Sequence, residues 1–485
     1  MAIRSVRPNF LRKLRRLNST APTTIPPSIF AGEPATAALT PPTTTSTDPI
    51  INLTDPKKLF SSVSTTKLIK SSITLYMASM EPMVDFGTWV MNSGLMSNPI
   101  SNQIISKAIE HSFYDHFCAG KDLDGAGRTV GKLWGGGLRT MLDYGLEHAN
   151  DNESCDRNLE EFIKTIGSTK SLPTSPVSFV VVKITALCPT SLLRRVSDLL
   201  RWEYKDSSLH LPWKLKTLPI FSASSPLYHT PEKPDPLTRE EEHDLNLAYQ
   251  RLIKICQSSL EASVPLLIDA EETDIQPAID YFTYSAAIEY NRDDNPLIFN
   301  TIQAYLKDAK ERMVAAKRAA DEMGVPVGFK LVRGAYMSKE NRLAYSLQVK
   351  SPIHDSIQDT HACYNECAAF MLEQIARGSG SVVLATHNLE SGKLAATKAV
   401  DLGIEKDSRN LQFAQLYGMA EALSFGLRNA GFRVSKYLPF GPVDQIMPYL
   451  LRRAEENRGL LNTSALDREL MRKELLRRLT SPPGS

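Results

Sequence analysis

Short apolar runs in the last two-thirds of the chain lead into ionisable or amide side chains. The polar residues at these positions are Lys183, Asp269, Gln303, Lys330, Arg333, Thr386, His387, Asn388, Gln415 and Tyr437. In a buried strand such a residue is costly unless it is paired or used in function. Because a (β/α)8 barrel builds its active site from residues at the carboxyl ends of its strands, the pattern predicts an enzyme.

The segment Tyr437–Asn457 joins one of these strands to a helix with two consecutive arginines. Arg453 and Glu456 are three residues apart and share a helix face, whereas Arg452 lies about 100° around the helix from Arg453. Two guanidinium groups near one strand end could hold a carboxylate by bidentate hydrogen bonds. The alternative, a solvated charged helix face, is weakened because the helix follows a strand that is predicted to end at Tyr437.

Three other features leave more than one chemistry open. Lys183 interrupts an apolar run, so it could be a third cation for the same carboxylate or a Schiff-base lysine of an aldolase-like barrel. The acidic stretch Asp269–Glu272 could be a metal site, an acid–base pair or a partner of the arginines. His387 could be a catalytic base, a cofactor contact or a buried structural histidine.

The elements that must position these residues alternate along the chain. Amphipathic helices are predicted at 240–262, 303–323, 360–376, 391–402 and 418–430, with a final helix near Pro442. Together with a first strand at Leu138–Leu142 this gives eight strand–helix units. Alternation of strands and helices implies a parallel sheet, and eight units favour closure into a TIM-type (β/α)8 barrel. Residues 150–156 are predicted to form a polar loop, and residues 203–240 a long proline-rich surface segment.

Composition divides the chain into four parts. Residues 1–35 are basic, contain no acid before Glu33, and predict a disordered transit peptide of the mitochondrial or plastid type. The alternative is a disordered basic tail that touches nucleic acid. We expect an N-terminal linker and helical arm at residues 36–128, the barrel at residues 129–465 and a C-terminal tail at residues 466–485.

The overall composition is that of an ordinary globular enzyme. The chain is 42% hydrophobic and 23% charged, and its net charge of +2 gives no general argument for attraction to nucleic acid or membranes. No run reaches the roughly 18 apolar residues of a membrane span, since Glu81 and Asp85 interrupt the best candidate, Ile73–Met91. The six cysteines show neither a CxxC pair nor zinc-ligand spacing, so no disulfide framework and no zinc site are predicted.

Seven of these stretches together resemble the proline dehydrogenase (proline oxidase) family, and the basic leader is similar to that of its plant mitochondrial members. The stretches are Lys183–Leu187, Ile268–Glu272, Thr301–Tyr305, Lys330–Tyr336, Ala385–Asn388, Gln415–Met419 and Tyr437–Asn457. They occur in the family's order, and the resemblance covers about residues 137–460.

The resemblance implies a barrel that holds FAD at its carboxyl end and oxidises L-proline to Δ1-pyrroline-5-carboxylate. Hydride would pass from proline C5 to flavin N5, and the electrons would go on to a quinone. The implied substrate-binding residues are Lys183, Leu416, Tyr437, Arg452 and Arg453, and Asp269 joins Lys183, Tyr437 and the two arginines in the implied catalytic set.

For the cofactor, the resemblance implies a larger set of residues around FAD. They are Asp269, Gln303, Lys330, Val332, Gly334, Ala335, Thr386, His387, Asn388, Gln415 and Glu456. The family also implies a location on the matrix side of the mitochondrial inner membrane, with peripheral membrane association, no transmembrane span, no metal and no nucleic-acid partner.

Three rival functions remain open at this point. A flavin dehydrogenase of hydroxyproline would use the same carboxylate clamp. A lyase would use Lys183 as a Schiff-base former, and a non-catalytic barrel would need none of these residues. No protein base stands out in the set, so we expect the amine of proline to lose its proton to water or solvent-linked groups.

Overall fold

The computed structural model describes residues 50–80, 105, 107, 109–170, 176–292, 295–459 and 461–480, and for a few helical residues only the backbone. The predicted transit peptide, residues 1–35, lies outside the described residues. So does most of the apolar run Ile73–Met91, from residue 81 onward.

Eight parallel strands close into a barrel in chain order, with the last strand paired to the first. The strands are β1 Arg139–Tyr144, β2 Val177–Val182, β3 Leu266–Ile268, β4 Ile298–Gln303, β5 Gly328–Val332, β6 Ser381–Ala385, β7 Leu411–Leu416 and β8 Val434–Phe440. The predicted (β/α)8 barrel is confirmed. One detail of the prediction is wrong: β8 does not end at Tyr437 but continues through Phe440, because Tyr437 to Phe440 stay paired with β1.

Helices surround the barrel and follow its strands. They are α5 Asn152–Thr169, α6 Thr190–Lys205, α7 Arg239–Ala262, α8 Gln276–Tyr290, α9 Ala309–Glu322, α10 Met337–Ser346, α11 Ile357–Ala376, α12 Leu389–Asp401, α13 Glu421–Asn429 and α14 Val443–Gly459. The predicted helix at 303–323 is shorter than expected, since Gln303 still belongs to β4. The predicted loop at 150–156 is wrong from Asn152 onward, because the Asp151 side chain caps α5 by accepting from the Ser154 N–H.

The two-residue period of the strands decides which side chains face the barrel interior. In β2, Phe179 and Val181 pack in the interior cluster, whereas Val180 and Val182 pack against the outer helices. The next interior position after Val181 is therefore Lys183.

The same step of two residues applies to neighbouring strands. It leads from Met141 to Asp143 in β1 and from Leu267 to Asp269 after β3. From Phe299 in β4, two such steps lead through Thr301 to Gln303. The alternation of the strands thus aims polar side chains at the carboxyl mouth of the barrel.

The described part of the predicted N-terminal arm is helical and contains no strand. Its helices are α1 Pro56–Leu59, α2 Thr65–Ala78, α3 Asp115–Phe117, which follows a π-helical turn at Glu110–Tyr114, and α4 Leu123–Gly135. Helix α4 runs across the predicted boundary at residue 128. Residues of the predicted C-terminal tail form most of α15, Leu461–Thr480, which packs on α2.

Three remaining features bear on the predictions. Residues 206–238 contain no helix or strand, as expected for the proline-rich segment. All six cysteines are buried and unpaired. Over the residues that the structure describes, no helix combines the length and apolarity needed to cross a membrane.

Candidate active site

A cluster of charged side chains lies at the carboxyl ends of β1, β2 and β3. The Lys183 ammonium group donates to the two carboxylate oxygens of Asp143 at 3.1 and 3.3 Å. Its Nζ lies 3.6 Å from Oδ2 of Asp269 and 3.8 Å from Oε1 of Glu147. All four side chains are almost completely buried. The structure therefore gives Lys183 the anionic partners that a lysine in a buried strand requires.

These partners also fix the protonation state of Lys183. Burial alone would lower the pKa of Lys183, but Asp143, Asp269 and Glu147 outweigh burial and raise the pKa above its usual value. A Schiff-base lysine must be neutral to attack a carbonyl carbon. The geometry therefore favours Lys183 as a cation and disfavours it as a nucleophile.

Asp269 links the cluster to Tyr437. The Tyr437 hydroxyl donates to Oδ2 of Asp269 at 2.8 Å, and the Lys330 ammonium group donates to Oδ1. Burial opposes ionisation of Asp269, but Lys330 and Lys183 outweigh it and hold the pKa of this carboxyl below its usual value. The Lys330 Nζ also lies 5.2 Å from the centroid of the Tyr437 ring. Asp269 and Lys330 together fix the position of the tyrosine in the barrel mouth.

Arg452 reaches the same cluster from α14. Its Nη1 and Nη2 donate to the Glu147 carboxylate at 3.0 and 2.6 Å, and its guanidinium carbon lies 5.9 Å from the centroid of the Tyr336 ring. Burial would raise the pKa of Glu147, yet Lys183 and Arg452 lower it to about 2. Glu147 thus bridges Arg452 and Lys183, two of the cations predicted to bind a substrate carboxylate.

Arg453, the third predicted cation, is also buried. Its side chain is packed so that the guanidinium carbon lies 4.7 Å from the centroid of the Tyr449 ring, on the same helix. Leu416, the predicted apolar wall, lies at the end of β7, two residues beyond the interior residue Ala414. The arginines, Lys183, Tyr437 and Leu416 therefore all belong to the carboxyl end of the barrel or to the helix that follows it.

The last residue of β5 and the loop after it carry the predicted flavin contacts Val332, Gly334 and Ala335. Gly334 has φ of +137°, and a Cβ atom added there would lie 2.5 Å from ring atoms of Tyr305. Only glycine fits this backbone position. Gln303, at the end of the neighbouring β4, donates from Nε2 to the Glu271 carbonyl oxygen at 2.8 Å.

Arg333 connects the ends of β5 and β6. Its Nη1 donates to the Thr386 hydroxyl at 2.7 Å, its Nη2 to the Ser391 hydroxyl at 2.8 Å and its Nε to Nδ1 of His361 at 3.0 Å. Its guanidinium carbon also lies 4.4 Å from the centroid of the Tyr364 ring. Arg333 thereby holds a positive charge in a fixed place beside the predicted flavin contacts.

His387 accepts a hydrogen bond in the structure. The backbone N–H of Leu416 donates to its Nε2 at 3.0 Å, which places the ring proton of the neutral imidazole on Nδ1. Burial, with the nearby Lys436 and Arg453, lowers the pKa of His387 to about 3. Of the three roles open from sequence, general base is therefore the least favoured.

Two of the predicted flavin contacts are placed differently from the rest. Gln415 continues the face of Leu411 and Phe413 that packs on the outer helices, and Ser424 of α13 donates to its Oε1 at 2.9 Å. The strand period thus puts Gln415 opposite Leu416, facing away from the barrel interior. Glu456 lies on α14, and its side chain is outside the described residues.

Two acidic residues of the site were missed by sequence reasoning, whereas a third, Glu271, belongs to the acidic stretch Asp269–Glu272 whose role the sequence left open. Asp143 carries the signal used elsewhere, a charged residue behind an apolar pair, but the predicted first strand stopped at Leu142. Glu147 lies in the following loop and carries no pattern. Glu271 accepts from the Thr185 hydroxyl at 2.9 Å, and burial, with nearby Glu147 and Glu272, raises its pKa to about 8.

The acidic stretch after β3 resolves into separate pairs. Asp269 binds Lys330 and Tyr437, Glu271 binds Thr185, and Glu272 binds Lys339. Among the described residues there is no group of three or more His, Cys, Asp or Glu placed to hold a metal ion.

The donor set at the ends of β4 to β7 fits a flavin dinucleotide. Such a cofactor needs cations or backbone N–H groups for its pyrophosphate and hydrogen-bonding groups for the ring edge. Arg333 and the N-terminus of α12, which Asn388 caps, supply the first kind. Gln303 and Lys330 supply the second kind, and Gly334 leaves space for close approach to the backbone.

Comparison with known proteins agrees with this fit. The sequence model of the proline dehydrogenase family matches residues 126–466. The chain belongs to the proline dehydrogenase family. Two mitochondrial proline dehydrogenases of Arabidopsis thaliana, numbered 1 and 2, are 54% and 52% identical to it, over 99% of this chain and 99% of each relative.

The fold of this proline dehydrogenase family member also matches a solved structure. Proline utilization A from Bdellovibrio bacteriovorus superposes with a TM-score of 0.60 and is 21% identical, over 86% of this chain and 40% of that chain. The family match includes all eight strands and every candidate residue described above.

Proposed function

We propose that this chain oxidises L-proline to Δ1-pyrroline-5-carboxylate with FAD as cofactor, as the first step of proline catabolism in the mitochondrion. The observation that carries the proposal is the cluster at the ends of β1, β2, β3 and β8. There, Lys183 and Arg452 are held as cations by Glu147, next to the Tyr437 ring. The high identity over the full length to mitochondrial proline dehydrogenases supports the substrate and the location.

The cations of the cluster give the substrate carboxylate its binding site. Arg452, Arg453 and Lys183 would share the carboxylate, each by a charge-assisted hydrogen bond. Because Glu147 already binds both Nη atoms of Arg452, an incoming carboxylate must share or displace that contact. The acid keeps the two cations charged and in place when no substrate is bound.

The apolar part of the pocket would hold the pyrrolidine ring. Tyr437 and Leu416 offer an aromatic face and an aliphatic wall on neighbouring strands that are paired in register. FAD, when bound, accepts the hydride from proline C5. The protein's contribution is to hold C5 in register with the cofactor, and the bond from Tyr437 to Asp269 fixes one side of that pocket.

Among the residues that the structure describes, the proton of the substrate amine has no evident acceptor. His387 is neutral and its Nε2 already accepts the Leu416 N–H, whereas the Asp269 carboxylate is shared by Lys330 and Tyr437. We propose that the amine loses its proton to water or to solvent-linked groups before hydride transfer. The electrons would leave to a quinone, and the chain would associate peripherally with the matrix side of the inner membrane.

The first experiment is the visible spectrum of the purified chain before and after anaerobic addition of L-proline. A flavin band that bleaches with L-proline is the expected result. Bleaching with hydroxyproline alone would keep the cofactor and change the substrate. Well-folded protein without flavin would contradict the proposal, and borohydride trapping with a carbonyl substrate would then test Lys183 as a Schiff-base former.

A further inference from the structure

Helix α2 is apolar on two adjacent faces, one buried and one exposed. Its inner face packs Leu68 and Leu75 into the core, as expected for a helix of the arm. Its outer face carries four large apolar residues at a spacing of four, three and four residues, extending just past the end of the helix. They are Ile69 at 43%, Ile73 at 54%, Tyr76 at 63% and Met80 at 42% exposure. Single exposed apolar residues are ordinary, but a stripe along one helix face marks an interaction surface.

Helix α15 borders this stripe and runs antiparallel to α2. Arg478, near its end, donates to the Val63 carbonyl oxygen at 2.8 Å, whereas Arg468 donates to the Leu75 carbonyl oxygen at 3.4 Å. Ile73 and Tyr76 share a surface groove with Arg468 and two neighbours on α15. Helix α15 also exposes Leu476 and Leu479, which lie one and two turns after Arg472.

The charge of this two-helix surface, formed by the outer faces of α2 and α15, is mainly positive. The two helices contain seven Lys or Arg but only three Asp or Glu. Two of these acids, Asp467 and Glu474, are buried, and Glu474 forms ion pairs with Arg477 and Arg478. The third, Glu469, lies 2.6 Å from Lys473, so the two helices together keep an excess of positive charge. An exposed apolar stripe beside basic side chains, with a tyrosine at the border, is the composition of an interfacial helix on an anionic bilayer.

The two-helix surface also lies close to the barrel mouth. The Lys67 ammonium group of α2 donates to the Tyr417 hydroxyl at 3.2 Å, and Tyr417 directly follows Leu416. Backbone N–H groups of Glu421 and Ala422 donate to Asp467 of α15 at 2.9 Å. A membrane bound at this surface would therefore sit beside the end of β7.

We propose that the outer faces of α2 and α15 form the site at which this chain docks on an anionic lipid bilayer. The inference rests on the proposed membrane association and names the surface and the lipid charge that would carry it. Apolar side chains of α2 would enter the interfacial region, and Arg472 and Lys473 would meet lipid phosphates.

The test measures binding of the purified full-length chain to vesicles by co-flotation. Vesicles of phosphatidylcholine alone are compared with vesicles of phosphatidylcholine and phosphatidylglycerol, and free inorganic phosphate is added as a competitor. We expect binding only to the anionic vesicles, weakening with salt and insensitive to phosphate added at constant ionic strength. Equal binding to both vesicle types, or displacement by phosphate, would overturn the proposal.

Variants locate the contact. The double change Ile73→Glu and Tyr76→Glu should weaken binding about tenfold or more, and Arg472→Gln about fivefold, since a basic residue at an anionic surface contributes about 1 kcal/mol. Leu260→Glu, at an exposed apolar position on α7, is the matched control and should bind like the parent. Unchanged binding of the double variant would overturn the proposal.

A second readout separates this inference from the proposed enzymatic function. Proline-dependent reduction of a soluble dye should be the same in the parent, the double variant and the control. Loss of dye reduction in the parent chain would contradict the enzymatic proposal, whatever the vesicles show. Thermal unfolding of each variant confirms that it folds, and Arg472→Gln gives an independent test should the double change unfold the arm.

Discussion

The barrel mouth has two halves with different chemistry. The half formed by β8, β1, β2 and β3 gathers Asp143, Glu147, Lys183 and Asp269 into one network of buried charges. The half formed by β4 to β7 presents mainly neutral groups, such as Gln303 and Thr386, with Arg333 at its edge. The first half suits a small zwitterion, and the second suits a large cofactor with a neutral ring.

The difference follows from what each half must hold before substrate arrives. Cations that wait for a carboxylate in a buried pocket need temporary anionic partners, because an unpaired buried charge is costly. Glu147 and Asp143 supply these partners for Arg452 and Lys183. The neutral half needs fewer such pairs, since contacts to a flavin ring are mainly hydrogen bonds, and its buried Lys330 takes its anionic partner, Asp269, from the charged half.

The largest expected effect comes from removing a cation of the charged half. Arg453→Met should raise the KM for proline roughly 10- to 150-fold, since the lost charge-assisted hydrogen bond is worth roughly 1.5–3 kcal/mol. Flavin content should stay at the parent level, because the change leaves β4 to β7 intact. Steady-state kinetics with a soluble dye and the flavin absorbance of the purified variant measure both.

Arg318→Met, at an exposed position of α9, makes the same chemical change away from the mouth. Its KM should equal that of the parent. An unchanged KM in Arg453→Met would remove the carboxylate clamp from the proposal.

A substitution in the neutral half should affect flavin content and leave the KM for proline nearly unchanged, the reverse of Arg453→Met. Gly334→Ala should lower flavin content and thermal stability, because the new Cβ would lie 2.5 Å from the Tyr305 ring. In molecules that keep flavin, the KM for proline should change little. Flavin stoichiometry and thermal unfolding report the effect.

Gly378→Ala separates the steric clash from backbone strain. Gly378 has φ of +81°, but a Cβ there would meet nothing within 4 Å. This control should cost about 1–2 kcal/mol of stability, as expected for a left-handed residue, and should not affect flavin content. Equal losses in the two variants would show that the loop after β5 is not shaped for close approach.

The fold could be predicted from sequence because each strand of a parallel barrel repeats the same local pattern, a short continuous apolar run. Val180 to Val182 and Leu266 to Ile268 are continuous apolar runs, since outer helices and interior both bury them. The runs do not show where a strand ends. Residues up to Phe440 pair with β1 although Tyr437 looked like the last strand residue. Likewise, Asp151 acts as a helix cap in a stretch that reads as polar loop.

Apart from Arg452 and Arg453, which the paired arginines of a predicted helix indicated, the candidate site could be predicted only where a residue follows a strand. Lys183 and Asp269 were found in this way, but Glu147 was not, because its approach to Arg452 spans 305 residues of sequence. Gln415 shows the converse difficulty. It lies at a strand end like the others, yet the two-residue period turns it toward Ser424 and the outer helices. Two features therefore cannot be predicted without the three-dimensional structure. One is an ion pair between residues far apart in the sequence, and the other is the direction in which a strand side chain points.

A smaller effect, on the pH dependence of stability, is expected from Glu271, which follows β3 at the border between the charged and neutral halves. The pKa of Glu271 is about 8 in the folded chain and 4.5 ordinarily. Between pH 4.5 and about 8 the Glu271 carboxyl is therefore protonated in the folded chain and ionised in the unfolded chain. Stability therefore falls as pH rises from about 4.5 to about 8. Glu271→Gln removes the titration, and its thermal stability relative to the parent should increase with pH inside the window.

Thermal unfolding at pH values across and outside the window tests this, with Glu322→Gln at an exposed position of α9 as control. The control should show no such dependence. A constant difference between Glu271→Gln and the parent at every pH would mean that Glu271 is already ionised when the chain is folded.

The smallest expected effect concerns the pH dependence of His387 variants. His387 follows β6 in the neutral half, with its Nε2 accepting the Leu416 N–H and its pKa lowered to about 3, chiefly by burial. A group that is neutral and hydrogen-bonded throughout the working pH range cannot create a limb of the activity profile. His387→Gln should therefore change kcat/KM by a constant factor, through the position of Leu416, while both limbs of the profile keep their midpoints. A limb that disappears in this variant would make His387 the acceptor of the amine proton, and the charged half would then no longer hold all of the groups that act on the substrate.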